Sequence, residues 1–356
     1  KAKKWNIQQF DELYNKIDDK KEANQIINSL KICDPAVGSG HFLVSALNEI
    51  IAIKSELGIL MDEKFKTLRD YEIEIINDEL IITDENGNMI AYNPKNLEST
   101  RVQKTLFQEK QIIIENCLFG VDINSNSVKI CRLRLWIELL KNAYYKEETK
   151  FTELETLPNI DINIKCGNSL LSRFALQDDV FKDVPNFKRR LSDYRFWVGE
   201  YKKAKEKNLK KQLSENIKAF TSDFKKRDPI VIKLQKELDQ KGNEFYNRFV
   251  AQQLFAKVAD PKVQAEREKL EEAINKLNAD ILVLQTEHIY KNAFEWRFEF
   301  PEVLGNDGEF EGFDLIIGNP PYGVSFKDKL RVAIINKFGK VPDFEIYYYF
   351  INLSKQ

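Results

Sequence analysis

At 356 residues the chain is long enough for one large domain or two ordinary ones, and its 43% hydrophobic content, with 24 Phe and 13 Tyr, supports a real core. The net charge of −1 excludes a global basic field, so any nucleic-acid surface has to be a local patch. No apolar run approaches the roughly 18 residues of a membrane span and no signal peptide opens the chain, so no membrane partner is expected. Cys33, Cys117, Cys131 and Cys166 form no CxxC pair, and three of them fall in expected buried strands. They read as reduced structural thiols of a cytoplasmic protein, not as disulfides or zinc ligands. The sequence opens on Lys1 and not Met, which is expected of part of a longer protein.

In chain order, residues 5–30 read as a polar helical lead-in, with Ile7, Phe10, Leu13, Tyr14 and Ile17 at helical spacing. A short apolar run, Leu30-Lys31-Ile32-Cys33, then delivers Asp34-Pro35-Ala36-Val37-Gly38-Ser39-Gly40-His41-Phe42. A helix is predicted over 40–57, with Phe42, Leu43, Ala46, Leu47, Ile50 and Ile51 on its apolar side. Residues 71–92 alternate as a hairpin with a turn at Asp84-Glu85-Asn86-Gly87, and a further helix is predicted over 99–115. A second buried strand, Cys117-Leu118-Phe119-Gly120-Val121, ends at Asp122 and leads into a helix over 125–145. Ile160-Asp161-Ile162-Asn163-Ile164 reads as a third strand closing at Cys166-Gly167-Asn168-Ser169. The fourth strand, 313–317, comes only after a long helix-forming stretch over 186–291 and ends at Gly318-Asn319-Pro320-Pro321-Tyr322. Alternating strands and helices specify an α/β fold with a parallel sheet.

Two of these strand ends carry chemistry. Gly38 and Gly40 let a backbone approach a ligand closely, and Asp34 stands at the strand end to accept a hydrogen bond or face a cation. Asp122 closes the neighbouring strand, where an acid takes ribose hydroxyls in sheets of this kind. No GxxxxGK[ST] cradle accompanies them, so ribose is recognised without phosphate, which favours S-adenosylmethionine over NAD or ATP. In the downstream loop, the Asn319 side-chain carbonyl and the Pro320 backbone carbonyl can accept the protons of a planar exocyclic amine. Pro320 and Pro321 fix the backbone, and Tyr322 offers a face on which a base stacks. Asn-Pro is also an ordinary turn, so this loop gains meaning from its partner upstream.

The segment 31–47, the stretch Phe119-Gly120-Val121-Asp122-Ile123-Asn124 running into Arg132-Leu133-Arg134-Leu135-Trp136, and Gly167-Asn168-Ser169-Leu170 resemble the methyltransferase portion of type IIG restriction–modification enzymes and the related phage-exclusion methyltransferases. Residues 296–322 strengthen the resemblance. The order, glycine loop before Asn-Pro-Pro-Tyr, is that of the gamma class of adenine-N6 amino-methyltransferases. The resemblance implies a Rossmann-like S-adenosylmethionine-dependent methyltransferase sheet, interrupted by a β-hairpin insertion and a long helical insertion. It implies Asp34, Ala36, Gly38, Ser39 and Gly40 around the methionine part of the cofactor, Asp122 on its ribose, Ile123 against its adenine and Asn168 at the adenine amine. Many relatives carry Asp where Asn168 stands. The catalytic set would be Asn319, Pro320, Pro321 and Tyr322, acting on an adenine flipped out of double-stranded DNA. Asp343-Phe344 and Tyr347 resemble the motif that follows.

The expected organisation is a lead-in over 1–30, a cofactor-binding half over 31–182 with the hairpin at about 58–98, a helical insertion over 183–292 and a catalytic-loop half over 293–356. Between residues 183 and 240 the insertion has 16 Lys+Arg against 9 Asp+Glu, a net +7. This suits a solvated helical arm, or a basic arm along a phosphate backbone. The upstream Thr-Pro segment of such enzymes, a target-recognition domain and a nuclease are not visible in the chain, so recognition is expected of additional domains in the full-length protein, and whether a nuclease is among them stays open at this level. The Glu200-Tyr201-Lys202 triplet lacks a supporting strand, and His41 and His288, the two histidines, suit packing better than acid–base chemistry. No metal site is expected. Methylation of protein glutamine or ribosomal RNA, and a non-catalytic DNA-binding scaffold, remain the alternatives at this level.

Overall fold

A computed structural model of the chain describes residues 10–177, 184–225, 229–250, 261–286, 290, 292–326, 328–342 and 345–356. The lead-in is two helices, α1 (Phe10–Lys16) and α2 (Lys20–Asn28), where one was expected. The break follows from Asp19, whose carboxylate accepts from Lys21 N–H and Glu22 N–H and so starts a new helix. Trp5 and Ile7 lie outside the described residues.

Strand β1 (Ile32–Asp34) runs into α3 (His41–Glu56). The hairpin is β2 (Tyr71–Ile76) and β3 (Glu79–Asp84), closed by Asn77 and Asp78 with φ of 53° and 64°. These left-handed residues make the tight turn that the strand twist prefers. Helix α4 (Leu97–Asn116) is capped by Asn96 and leads to β4 (Leu118–Asp122) and α5 (Ser125–Lys141). Helix α5 ends before the expected 145, at the Asn142 cap.

Strand β5 is Ile164–Cys166, four residues later than the alternation at 160–164 suggests. Residues 161–163 form a turn. Buried Asn163 donates through Nδ2 to the carbonyls of Ile114, Glu115 and Leu118, which ties this turn to the end of α4 and the start of β4. Arg132 holds the same turn by donating to the Asp161 and Ile164 carbonyls. Next come α6 (Phe187–Lys203), α7 (Lys207–Lys225), α8 (Pro229–Phe245), α9 (Pro261–Thr286) and α10 (Trp296–Glu299). Strand β6 (Leu315–Ile316) is followed by α11 (Asp328–Phe338) and α12 (Ile346–Ser354).

The four strands form one parallel sheet in the order β5-β4-β1-β6, with Cys33 opposite both Phe119 and Ile316. Both faces are covered, as a parallel sheet requires. Ile32, Leu118 and Ile164 pack under α3, α4 and α5, while Cys33, Phe119 and Val121 pack against the segment containing Trp296 and Phe300 and against α11 and α12. Phe119, Phe300 and Phe313 meet edge-on or tilted at centroid distances of 5.1 and 5.5 Å from Phe119. A buried ion pair, Lys54 with Glu109, joins α3 to α4, and Asn24 and Asn28 of α2 hydrogen-bond to its two members.

All four cysteines are free thiols. Cys33 is buried in β1 and Cys131 on α5, as expected; Cys117 is buried just before β4, and Cys166 is exposed at the end of β5, where burial was expected. Among the described residues, no helix is long and apolar enough to cross a membrane.

Candidate active site

The strand order reverses at β1: β4 and β5 extend the sheet to one side and β6 to the other. The carboxyl ends of these strands bring together the loops after Asp34, Asp122, Cys166 and Ile316, the place where open α/β sheets hold ligands.

Asp34 is the hinge of this region. It is 1% exposed, and its Oδ1 accepts from Ala36 N–H at 2.9 Å, which turns the chain sharply after β1. A Cβ on Gly318 would stand 2.6 Å from the same Oδ1. Gly318 therefore lets the Asn319-Pro320-Pro321-Tyr322 loop leave β6 directly beside Asp34. The glycine loop is held from the other side. Asp122 accepts from Gly38 N–H through Oδ2 at 2.9 Å and from Asn124 N–H through Oδ1 at 2.7 Å. Val37 N–H donates to Val121 O at 2.9 Å. Gly40, at φ of 84°, caps α3 where a Cβ would sit 2.5 Å from Cys131 Sγ, so α3 begins flush against α5.

Burial, with the neighbouring charge of Asp122 adding to it, pushes the Asp34 carboxyl up to about 6 despite the Ala36 N–H. Among the described residues neither Asp34 nor Asp122 forms an ion pair with Lys or Arg. Two carboxylates without a cation suit a positively charged ligand and oppose a phosphate. Below about pH 3.8 Asp34 is protonated in the folded and unfolded states alike; between about 3.8 and 6 the folded protein keeps a proton that the unfolded chain has lost, so stability falls as pH rises. Above about 6 the cost is constant. Asp34→Asn is expected to raise unfolding free energy at neutral pH by about 1–3 kcal/mol, with the gain vanishing near pH 4. Urea titrations at the two pH values measure it; an Asn variant less stable at neutral pH contradicts the electrostatic account.

The other expected residues fall as follows. Ala36 and Ser39 lie on the glycine turn, and Ile123 is 61% exposed just beyond Asp122. Asn168 is buried, and its Oδ1 accepts from Leu170 N–H at 3.2 Å, so its side-chain carbonyl serves its own turn. Asn319 and Pro321 are exposed, and Tyr322 is 66% exposed with its ring 5.2 Å from that of Tyr347. Asp343 and Phe344 lie outside the described residues.

His41 is exposed, with Nδ1 2.9 Å from Arg134 Nη1, and stands in no acid–base pair. Two further residues of these motifs support the site in ways their place in the sequence does not specify. Ser169 donates through Oγ to Pro35 O at 2.7 Å, bracing the glycine loop, and Gly318 supplies the close approach to Asp34. A glycine at a strand end was the available signal for the second.

Part of the basic stretch on and between α6 and α7 is paired with acids within the protein. Lys188 pairs with Asp307, Arg190 with Asp223, Lys202 with Glu302 and Lys205 with Glu155. Lys203, Lys210 and Lys211 also face acids. Arg195 donates to the carbonyls of Pro301, Leu304 and Gly305. These contacts favour a packed helical arm over a free phosphate-binding one. Among the described residues no cluster of His, Cys, Asp and Glu could hold a metal ion.

A parallel sheet with helices on both faces, with acid- and glycine-bearing loops at its carboxyl edge, defines a Rossmann-like methyltransferase fold. The chain belongs to the Eco57I restriction-modification methylase family, whose family model matches residues 116–356. It is 27% identical over 371 aligned residues to a predicted type II restriction enzyme and methyltransferase of Methanocaldococcus jannaschii, an alignment covering 91% of this chain and 24% of that protein. It is 30% identical over 176 residues to the type II restriction enzyme and methyltransferase RM.Eco57I of Escherichia coli, covering 49% of this chain and 14% of that one. The chain thus spans a quarter or less of the length of these relatives. No solved structure matches it.

Proposed function

We propose that this chain is the catalytic domain of an S-adenosylmethionine-dependent DNA methyltransferase that modifies the N6 amine of adenine, within a larger restriction–modification protein. The observation that carries the reading is the position of Asp34, bonded to the glycine loop on one side and touching Gly318 of the Asn-Pro-Pro-Tyr loop on the other. A cofactor loop and an amine-binding loop share one edge of the sheet.

The residues fit the cofactor by their donor chemistry: two unneutralised carboxylates, flexible glycines and no lysine for a phosphate. When bound, S-adenosylmethionine supplies a methyl group activated by its sulfonium. Asp122 would bind the ribose hydroxyls, and Asp34, Ala36, Gly38, Ser39 and Gly40 would surround the methionine end. Ile123 would lie against the adenine. Asn168 would offer that ring its amide, its carbonyl being engaged with Leu170 N–H.

Asn319 Oδ1 and the Pro320 carbonyl would accept the two N–H groups of the target amine. That holds the nitrogen lone pair out of conjugation and directs it at the methyl group. Pro320 and Pro321 keep these acceptors in place before binding, so little ordering is lost on association. The exposed face of Tyr322 would stack on the flipped base. No residue here forms a covalent bond with substrate.

Asp122→Ala is expected to weaken binding of S-adenosylmethionine or its homocysteine product by about 1.5–3 kcal/mol, since a hydrogen-bonded carboxylate is lost from the ligand and from Gly38 N–H. Calorimetry on the full-length protein reads this, and unchanged affinity refutes the ribose assignment. The substrate class is tested with labelled methyl donor offered to plasmid DNA, ribosomal RNA and a release factor. Label entering RNA or protein and not DNA would replace this proposal with the corresponding alternative.

A further inference from the structure

Helix α5 is apolar on two faces. Val128, Cys131, Leu135 and Leu139 point into the core. On the opposite side Ile130, Leu133, Ile137 and Leu140 are 46%, 53%, 43% and 47% exposed. A surface helix carries polar residues on its outer face, and one that is apolar all round is normally enclosed. The outer residues are spaced three, four and three apart. This is the spacing of an a/d seam, with β-branched residues at a and Leu at d, the combination that suits a two-helix contact.

Three of the four positions flanking that seam are basic, Trp136 being the fourth. Lys129, Arg134 and Lys141 occupy its g and e positions. Lys141 already faces Glu138 and Glu79, and the contact of Arg134 is the ring of His41. Lys129 is exposed and has no acidic partner among the described residues. A second copy would set these cations against one another in either orientation: Lys129 against Arg134 if parallel, Arg134 against Lys141 if antiparallel. The charge pattern calls for an acidic partner.

We propose that the outer face of α5 is covered in the full-length protein by an amphipathic helix with an apolar a/d stripe and Asp or Glu beside it, supplied by the same polypeptide outside residues 1–356. The relatives favour this source, because the matched stretch makes up only 24% and 14% of their lengths. The proposal rests on burial and charge, so it stands or falls separately from the roles of Asp122 and Asn319.

The test uses the full-length protein with its natural flanking sequence, in two measurements. Hydroxyl-radical footprinting compares Leu133, Ile137 and Leu140 with Leu97, which is 83% exposed. The three are expected to oxidise about tenfold more slowly than Leu97, since an interface core excludes water. A carbodiimide, which couples amines directly to carboxylates, is expected to join Lys129 to an Asp or Glu outside residues 1–356 of the same chain. A mixture of isotope-labelled and unlabelled protein separates links within a chain from links between copies. Oxidation as fast as that of Leu97, or Lys129 links that join two copies, overturns the proposal.

Discussion

Asn319→Ala in the full-length enzyme is expected to lower methyl transfer by about 10²–10³-fold while leaving cofactor affinity nearly unchanged. Removing one preorganised polar group that acts on the reacting atoms typically costs that much. The selectivity of the loss follows from position. Asn319 leaves β6 beyond Gly318, while the groups proposed to hold the cofactor belong to the loops after β1 and β4. Single-turnover rates and calorimetry on the same preparation separate the two effects. A variant that loses cofactor binding and rate together would mean that the side chain supports the pocket and not the amine. Tyr322→Phe is a useful companion. Its ring is 66% exposed, and stacking needs no hydroxyl, so Phe should retain activity that Ala loses.

Gly318→Ala is expected to damage the site by a different route. Its φ is 156°, and the added methyl would meet Asp34 Oδ1 at 2.6 Å and Cγ at 3.1 Å. Asp34 has little room to yield, being buried and bonded to Ala36 N–H. Overpacking of this kind costs about 1–3 kcal/mol of stability. Here it also displaces Asn319 and Asp34 from one another, so rate and cofactor affinity should fall together, unlike the Asn319→Ala result. Gly199→Ala, in α6 with open space around the added methyl, serves as the control and should be neutral or stabilising by up to about 1 kcal/mol. Equal behaviour of the two alanine variants would show that the contact between the loops is not tight.

The legible parts of this protein are those where a local motif dictates backbone shape. Gly38, Gly40 and Gly318 lie at strand ends in the sequence and at strand ends in the fold, because each meets a conformation or a close approach that a side chain resists. The alternation Glu72-Ile73-Glu74-Ile75 made the hairpin visible, but its strands are joined at Asn77-Asp78, ahead of the turn expected at residues 84–87. Misplaced elements trace to side chains that bond the backbone at a distance. Asn163 alternates like a strand residue but spends its amide on three carbonyls of a neighbouring segment. Asp19 interrupts a helical pattern by capping its own turn.

Charge was harder to read than pattern. A net +7 over 183–240 suits a solvated arm and a phosphate-binding one alike, and the fold pairs Lys188, Lys202 and Lys205 with Asp307, Glu302 and Glu155 from outside that stretch. Asn168, placed at the cofactor by the resemblance, also accepts from Leu170 N–H through its carbonyl, a local bond its position in the motif does not announce. Composition counts charges; only the fold pairs them.

The most direct test of the central claim is nucleoside analysis of DNA after reaction with the full-length protein and S-adenosylmethionine. DNA lacking prior methylation is incubated with wild type and with Asn319→Ala, digested to nucleosides and resolved by mass spectrometry. N6-methyladenine is expected with wild type, and its near absence with Asn319→Ala. Methylated cytosine in place of N6-methyladenine, or equal N6-methyladenine from both proteins, would contradict it.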